Sequence, residues 1–225
     1  MTLSGRHDVY EVILFDLDGT LTDSQVGIVN SVQYALAKMD IAIADPRQLA
    51  NFLGPPLHES FREFYGFDAE RTRRAVDFYR ERYTRLGMFE NKVYPGIAQL
   101  LAELTRRGRR LFVATSKAEV YARRIVAHFQ LDHYFEAIVG SNLEGTRSVK
   151  ADIIAAVIAG YGLEQLRGQM VMVGDRKHDL LGAQANYIAA IGVTYGYGTM
   201  EEISRFAPNA LAGSVAELAG ILIPK

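Results

Sequence analysis

The sequence predicts an α/β fold with a doubly wound, mostly parallel sheet, and three observations carry that expectation. Short apolar runs bounded by Gly, Asp or Thr recur at residues 10–15, 111–114, 137–139, 170–173 and 189–193. Helical patterns fill the gaps between the later runs, at 97–107, 119–129 and 151–160, and such alternation buries a parallel sheet between helical layers. The interval 23–94 breaks the rhythm with helical signals and no convincing strand, which marks a helical insertion between the first and second core strands.

The first apolar run continues into "VILFDLDGTLTDS", residues 12–24, so Asp16 and Asp18 emerge at the carboxyl end of a strand, where open parallel sheets place their ligands. Two carboxylates held this close repel one another unless a cation or a proton intervenes. Magnesium (Mg2+), a hard ion that prefers carboxylate and backbone oxygen, supplies such a cation. Gly19 permits a tight turn, and Thr20 and Thr22 add hydroxyls; the same Asp-x-Asp-Gly pattern also suits an ordinary turn or strand-end cap.

Inside the insertion a helix opens near Ser24 and runs through Tyr34, Ala35 and Leu36. Further on, Ala75, Phe78, Tyr79 and Tyr83 share one helical face, the pattern of helix packing in a bundle rather than of a ligand box. "NFLGPPLH", residues 51–58, interrupts the helices because Gly-Pro-Pro is too stiff and too helix-averse to belong to either neighbour. The charged stretch 70–85 reads as the solvated face of a helix.

The second core strand leads into Thr115 and Ser116, with Lys117 and a helix following. Hydroxyls and N–H groups at a helix start bind phosphate, although Thr and Ser are also common helix caps. Lys150 opens the helix 151–160, where a cation opposes the helix dipole, so its charge serves something else unless it is a plain surface lysine. In "MVMVGDRKHD", residues 170–179, Gly174 turns the chain, Asp175 ends the strand and Asp179 lies four residues on. Positions i and i+4 share a helix face, so both carboxylates can look back at one ion.

A chain of 225 residues can build one sizeable core, or a core and a smaller satellite. Its 25 Lys+Arg balance 26 Asp+Glu, leaving no global field to recruit a nucleic acid polymer or an anionic membrane, so a small molecule is the expected ligand. The absence of cysteine excludes disulfides, thiolate catalysis and cysteine metal sites. No run approaches the ~18 apolar residues of a membrane span, and the first residues lack the apolar stretch of a secretory signal. The expectation is a cytoplasmic protein, monomer or homodimer, without a membrane partner.

Taken in order, Asp16-Leu17-Asp18-Gly19-Thr20, Thr115, Lys150, and Gly174-Asp175 with Asp179 resemble the motifs of the haloacid dehalogenase-like hydrolase superfamily, over residues 12 to about 218. The insertion is similar to the helical cap of its phosphoglycolate phosphatase-like branch. "GPPL", "GDRKHD" and "GVTYGYGT" look most like members described as 5'-nucleotidase-like. The resemblance implies a Rossmann-like catalytic core formed by residues 1–22 and 95–225, with a mobile cap at 23–94. It implies magnesium-dependent hydrolysis of a small phosphorylated metabolite, phosphoglycolate-like or a nucleoside 5'-monophosphate, through an aspartyl-phosphate.

Carried over residue by residue, it implies Asp16 as nucleophile and Asp18 as the acid that protonates the leaving alcohol and then activates water. Thr115 and Lys150 would hold the phosphoryl oxygens. Asp16, the Asp18 backbone oxygen and Asp175 would bind the metal, with Asp179 a ligand or an anchor behind it. Gly19, Thr20, Ser116 and His58 would contact substrate, and residues 53–58 would select it. Ala151 stands where many relatives carry proline, and Ser116 where many carry asparagine. Asp18 argues for phosphate over carbon–halogen cleavage; a phosphomutase and a non-catalytic sensor of a phosphorylated metabolite are the alternatives. His128 and His133 read as structural, Arg176, Lys177 and His178 as facing the pocket rim or solvent, and the loop 195–199 as a turn at the site's edge.

Overall fold

Every side chain of β1 (Val12–Phe15) is fully buried, because this strand lies between two others and under helices on both faces. Its alternating side chains divide the interior: Ile13 and Phe15 join one hydrophobic cluster, Val12 and Leu14 the other. The computed structural model describes residues 10–43, 45–143 and 149–224.

Numbered in chain order, the main sheet contains β1, β4 (Arg110–Ala118), β5 (Ala137–Ser141), β6 (Met170–Gly174), β7 (Ala189–Val193) and β8 (Ala210–Ala212). Its spatial order is β5-β4-β1-β6-β7-β8, and every neighbouring pair is parallel. The chain builds outward from β1 through β4 to β5, then returns to the other side of β1 for β6. The order therefore reverses beside β1, and the carboxyl ends of β1, β4 and β6 surround the point where such sheets bind ligands.

Helices α4 (Ile97–Arg106), α5 (Glu119–His128) and α9 (Val215–Leu222) cover the Ile13/Phe15 face, while α6 (Lys150–Gly160) and α7 (Lys177–Ala185) cover the Val12/Leu14 face. The short α8 (Met200–Ser204) follows β7. None of the described helices is long and apolar enough to cross a membrane.

Between β1 and α4 the chain forms α1 (Gln25–Lys38), a 3-10 turn at Pro46–Phe52, α2 (Leu57–Tyr65), α3 (Ala69–Tyr83) and a second 3-10 turn at Gly87–Phe89. The side chain of Asp68 caps α3 by accepting from the Arg71 N–H, and Gly66 closes α2 in the left-handed conformation. Pro56 precedes α2 in an extended conformation, so the Gly-Pro-Pro segment does separate the helices.

Three expectations need correction. The interval 23–94 is not free of strand: β2 (Thr22–Asp23) and β3 (Lys92–Val93) pair antiparallel where the chain leaves and re-enters the sheet layer. Two-residue strands leave no periodicity to read. The second core strand runs on to Ala118 with a register shift after Ala114, so Thr115 and Ser116 lie in irregular strand and α5 is preceded by Ala118 instead. The five expected core strands gain a sixth at the sheet edge, the three-residue β8, which is too short to show as an apolar run.

Because Leu14 is fully buried between the central strand and helices α6 and α7, Leu14→Ala should lower unfolding stability by about 2–5 kcal/mol. Urea unfolding followed by circular dichroism checks this, and a loss below about 1 kcal/mol would contradict the packing described.

Candidate active site

Lys150 ties the ends of β1 and β4 to the first turn of α7. It is the first residue of α6 and only 4% exposed. Its Nζ lies 2.8 Å from Asp16 Oδ1 and 2.8 Å from Asp179 Oδ1, and donates to the Ala114 carbonyl at 2.9 Å. The charge misplaced against its own helix dipole is thus compensated by two carboxylates and a strand carbonyl. Burial alone would push the ammonium down, but the Asp16 and Asp179 charges overcome it and hold it above its ordinary value.

Asp16, Asp175 and Asp179 form a buried cluster in which one carboxylate oxygen from each lies within 4.8 Å of the others. Burial pushes the Asp16 carboxyl up, against Lys150 and with Asp179 adding to the rise. Asp175 is pushed well above the carboxylate range by burial, then by the Asp179 and Asp16 charges. Donors are few: Asp175 accepts from the Tyr197 N–H at 2.7 Å and the Thr20 hydroxyl at 3.3 Å. Gly19, in the left-handed region at φ 83°, leaves room for this carboxylate, since a Cβ there would sit 2.1 Å from Asp175 Oδ2. Crowded, under-neutralised hard oxygens of this kind fit a hard divalent cation. Asp179 is already engaged at both oxygens, one with Lys150 and the other accepting from the Arg176 N–H at 3.1 Å.

In front of this cluster lies a cavity of about 130 Å³. Asp16, Asp18, Thr115 and Ser116 line one end, and the insertion supplies His58, Tyr79 and Tyr83 among its other walls. The Thr115 hydroxyl accepts from the Lys117 N–H at 3.3 Å, and its nearness to Asp16 opposes the rise of that carboxyl. Asp18 Oδ2 pairs with Lys117 Nζ at 2.5 Å, whereas Asp18 Oδ1 has no hydrogen-bond partner among the described residues. The same ammonium lies 5.0 Å from the centre of the Tyr83 ring, joining the sheet layer to α3.

The structure therefore brings together Asp16, Asp18, Thr115, Ser116, Lys150, Asp175, Asp179 and His58. Gly19 and Thr20, expected to contact substrate, lie beside Asp175 and shape its surroundings. The aromatic face of α3 is more than packing, because Tyr79 and Tyr83 bury themselves and wall the cavity at once. Nothing in the local sequence marks Lys117, because its partner Asp18 is 99 residues away. Arg176 does not simply face the rim or solvent, but donates to the Leu53 carbonyl in the insertion. His128 packs against Phe89 and Phe129, and His133 against Tyr134, in keeping with structural roles.

Residues 13–193 match the family model described as haloacid dehalogenase-like hydrolase. A 5'-nucleotidase of Pseudomonas aeruginosa is 47% identical over 213 residues, covering 95% of this chain and 96% of that protein. Tyrosine-protein kinase PtkA of Mycobacterium tuberculosis is 40% identical over 211 residues, covering 92% of this chain and 71% of that one. The crystal structure of a predicted phosphatase from Clostridium acetobutylicum superposes with a TM-score of 0.90 at 47% identity, covering 94% of this chain and 97% of its own. With its acid cluster at the switch point of a parallel sheet and this likeness along nearly its whole length, the chain belongs to the haloacid dehalogenase-like hydrolase family.

Proposed function

We propose that the protein is a magnesium-dependent phosphatase that hydrolyses a small phosphomonoester through an aspartyl-phosphate on Asp16. The observation that supports it most is that Asp16 both lines a cavity with Asp18 and Thr115 and belongs to a buried cluster with Lys150, Asp175 and Asp179. Residues 23–94 act as a cap over that cavity, and residues 1–22 with 95–225 as the catalytic core.

A carboxylate oxygen of Asp16 attacks phosphorus, and the bond from phosphorus to the ester oxygen breaks. Asp18 gives its proton to the departing oxygen, then takes one from the water that attacks the aspartyl-phosphate, releasing inorganic phosphate and restoring Asp16. Lys150 and the Thr115 hydroxyl hold phosphoryl oxygens and offset the charge gathering there. Asp16, Asp175 and the Asp18 backbone oxygen would hold magnesium, which when bound supplies charge neutralisation and orients the phosphoryl group. Asp179 serves as the anchor of Lys150, since both its oxygens are engaged.

The aromatic surface of Tyr79 and Tyr83 suits a leaving group with a planar or apolar face, which favours a nucleoside 5'-monophosphate over phosphoglycolate. His58 completes that wall. Burial and then the Arg80 guanidinium push its imidazole below the ordinary 6.5, with Asp77 opposing, so it meets the leaving group as a neutral donor and acceptor.

Asp16→Asn should reduce phosphate release from nucleoside 5'-monophosphates by about a thousandfold or more while leaving the circular dichroism spectrum unchanged. Release in the wild type should stop with chelator and return with magnesium. Turnover that survives the substitution would refute the mechanism.

The raised carboxyls set a second expectation. In chelator, the folded state holds protons on Asp16 and Asp175 above the ordinary value of 3.8, so stability falls as pH rises through that value and on toward the folded one. Magnesium binds the ionised forms, so the rise in Tm on adding it should grow from pH 5 to pH 8 and disappear in Asp175→Asn. An increment independent of pH would place the ion elsewhere.

For His58, NMR titration should give a midpoint below 6.5, and Arg80→Gln should move it only part of the way back, burial being the larger cause. As pH falls below 6.5 the unfolded chain takes up this proton first, so the contribution of His58 to stability is lost on acidification. A midpoint above 6.5 would mean that the ring faces a carboxylate and is charged at the cavity wall.

A further inference from the structure

We infer that Arg176 is a positioning residue that determines specificity, fastening the insertion's Leu53–His58 segment to the strand end that carries Asp175. Its main-chain N–H donates to Asp179 Oδ2 at 3.1 Å, so its peptide is held by the acid cluster itself. Its side chain then reaches outward: Nε donates to Glu202 Oε1 at 3.0 Å, and Nη1 donates to the Leu53 carbonyl. Glu202 is not a loose partner, because the same oxygen accepts from the Lys177 N–H at 2.9 Å and Glu202 sits in the first turn of α8, whose cap Thr199 accepts from the Glu202 N–H at 3.1 Å.

The far end of the contact is equally constrained. Leu53 is buried, and Gly54 after it adopts φ 106°, where a Cβ would lie 2.7 Å from Arg176 Nη1. The guanidinium therefore occupies the space that any side chain at position 54 would need. Pro55 and Pro56 follow with restricted backbone torsions, and α2 starts at Leu57. A stiff segment anchored at Leu53 carries that position forward, so the placement of Leu57 and His58 against the cavity depends on where Arg176 holds the carbonyl. The forked, planar guanidinium matters here, since it serves Glu202 and Leu53 at once, which a lysine ammonium on a flexible stem does less well.

Only an ester large enough to press on this wall would sense the fastening. Acetyl phosphate needs the Asp16, Thr115 and Lys150 end alone; adenosine 5'-monophosphate needs the wall as well. That activity arm rests on the phosphatase reading, whereas the mobility of the segment can be read without any substrate.

The test compares wild type, Arg176→Met and Arg176→Lys by hydrogen–deuterium exchange of peptides covering residues 52–58, and by kcat/KM for adenosine 5'-monophosphate relative to acetyl phosphate. In Arg176→Met, exchange in 52–58 should quicken about tenfold, and the ratio should fall about tenfold through a higher KM for the nucleotide, with acetyl phosphate changed less than about twofold. Arg176→Lys should fall between, and carries the comparison if the methionine variant does not fold. Unchanged exchange in 52–58 overturns the fastening whatever the kinetics show. Faster exchange with an unchanged ratio overturns the specificity role. If the wild type hydrolyses neither compound, the phosphatase reading fails, while exchange still decides whether Arg176 holds the segment.

Discussion

The structure is organised around one electrostatic problem, the burial of three carboxylates beside a single ammonium. Asp16, Asp175 and Asp179 crowd together, and Lys150 reaches two of them. Burying an ion pair costs desolvation that its attraction only partly returns, so such an arrangement is weak as a source of stability and strong as a source of fixed geometry. Here Lys150 joins three separate segments, the end of β1 through Asp16, β4 through the Ala114 carbonyl and α7 through Asp179. The surplus negative charge left around Asp175 is what makes the cluster receptive to a cation, and a divalent ion and a phosphoryl dianion would together complete its charge balance.

The loop after β7 shows how the same cluster is connected to the rest of the fold. Tyr197 donates its N–H to Asp175, and its hydroxyl accepts from the Ser24 N–H at 2.7 Å and donates to Asp23 Oδ1 at 3.1 Å. Tyr195 donates to the Thr20 carbonyl at 3.0 Å. Asp23 ends β2, and Ser24 precedes α1, so this loop grips the place where the chain passes from sheet to insertion. Its glycines are needed for close approach: a Cβ on Gly196 would lie 2.2 Å from the Gly19 carbonyl oxygen. A loop that reads in sequence as a turn thus braces both the acid cluster and the first crossing to the helices.

What the sequence disclosed, and what it withheld, follows from the range of the interactions. The central strands were legible because strands buried on both faces read as continuous apolar runs, and Asp16, Asp18 and Asp175 were legible because they stand directly behind such runs. Lys150 was noticed through a local inconsistency, a cation at the wrong end of a helix, although only the fold could show that its partners are Asp16 and Asp179. Lys117 and Arg176 carried no such local sign, since their partners lie 99 and 123 residues away. Thr20 stands in plain view inside the acidic motif, yet only the fold shows that its hydroxyl donates to Asp175, 155 residues away.

The aromatic face of α3 shows why a choice between packing and ligand binding can be a false one. Tyr79 and Tyr83 stack at 5.0 Å between ring centres, and both are almost wholly buried, as residues of a helix-packing face should be. They nonetheless form part of the cavity wall, because α3 lies where the insertion meets the sheet layer and its buried face continues past its neighbours to the strand ends. Periodicity specifies which face of a helix avoids water, but not whether a second helix, the sheet or a ligand covers it. At the boundary between two packed layers one apolar stripe can serve both, and there the residues that stabilise the insertion and those that would recognise a leaving group become the same side chains.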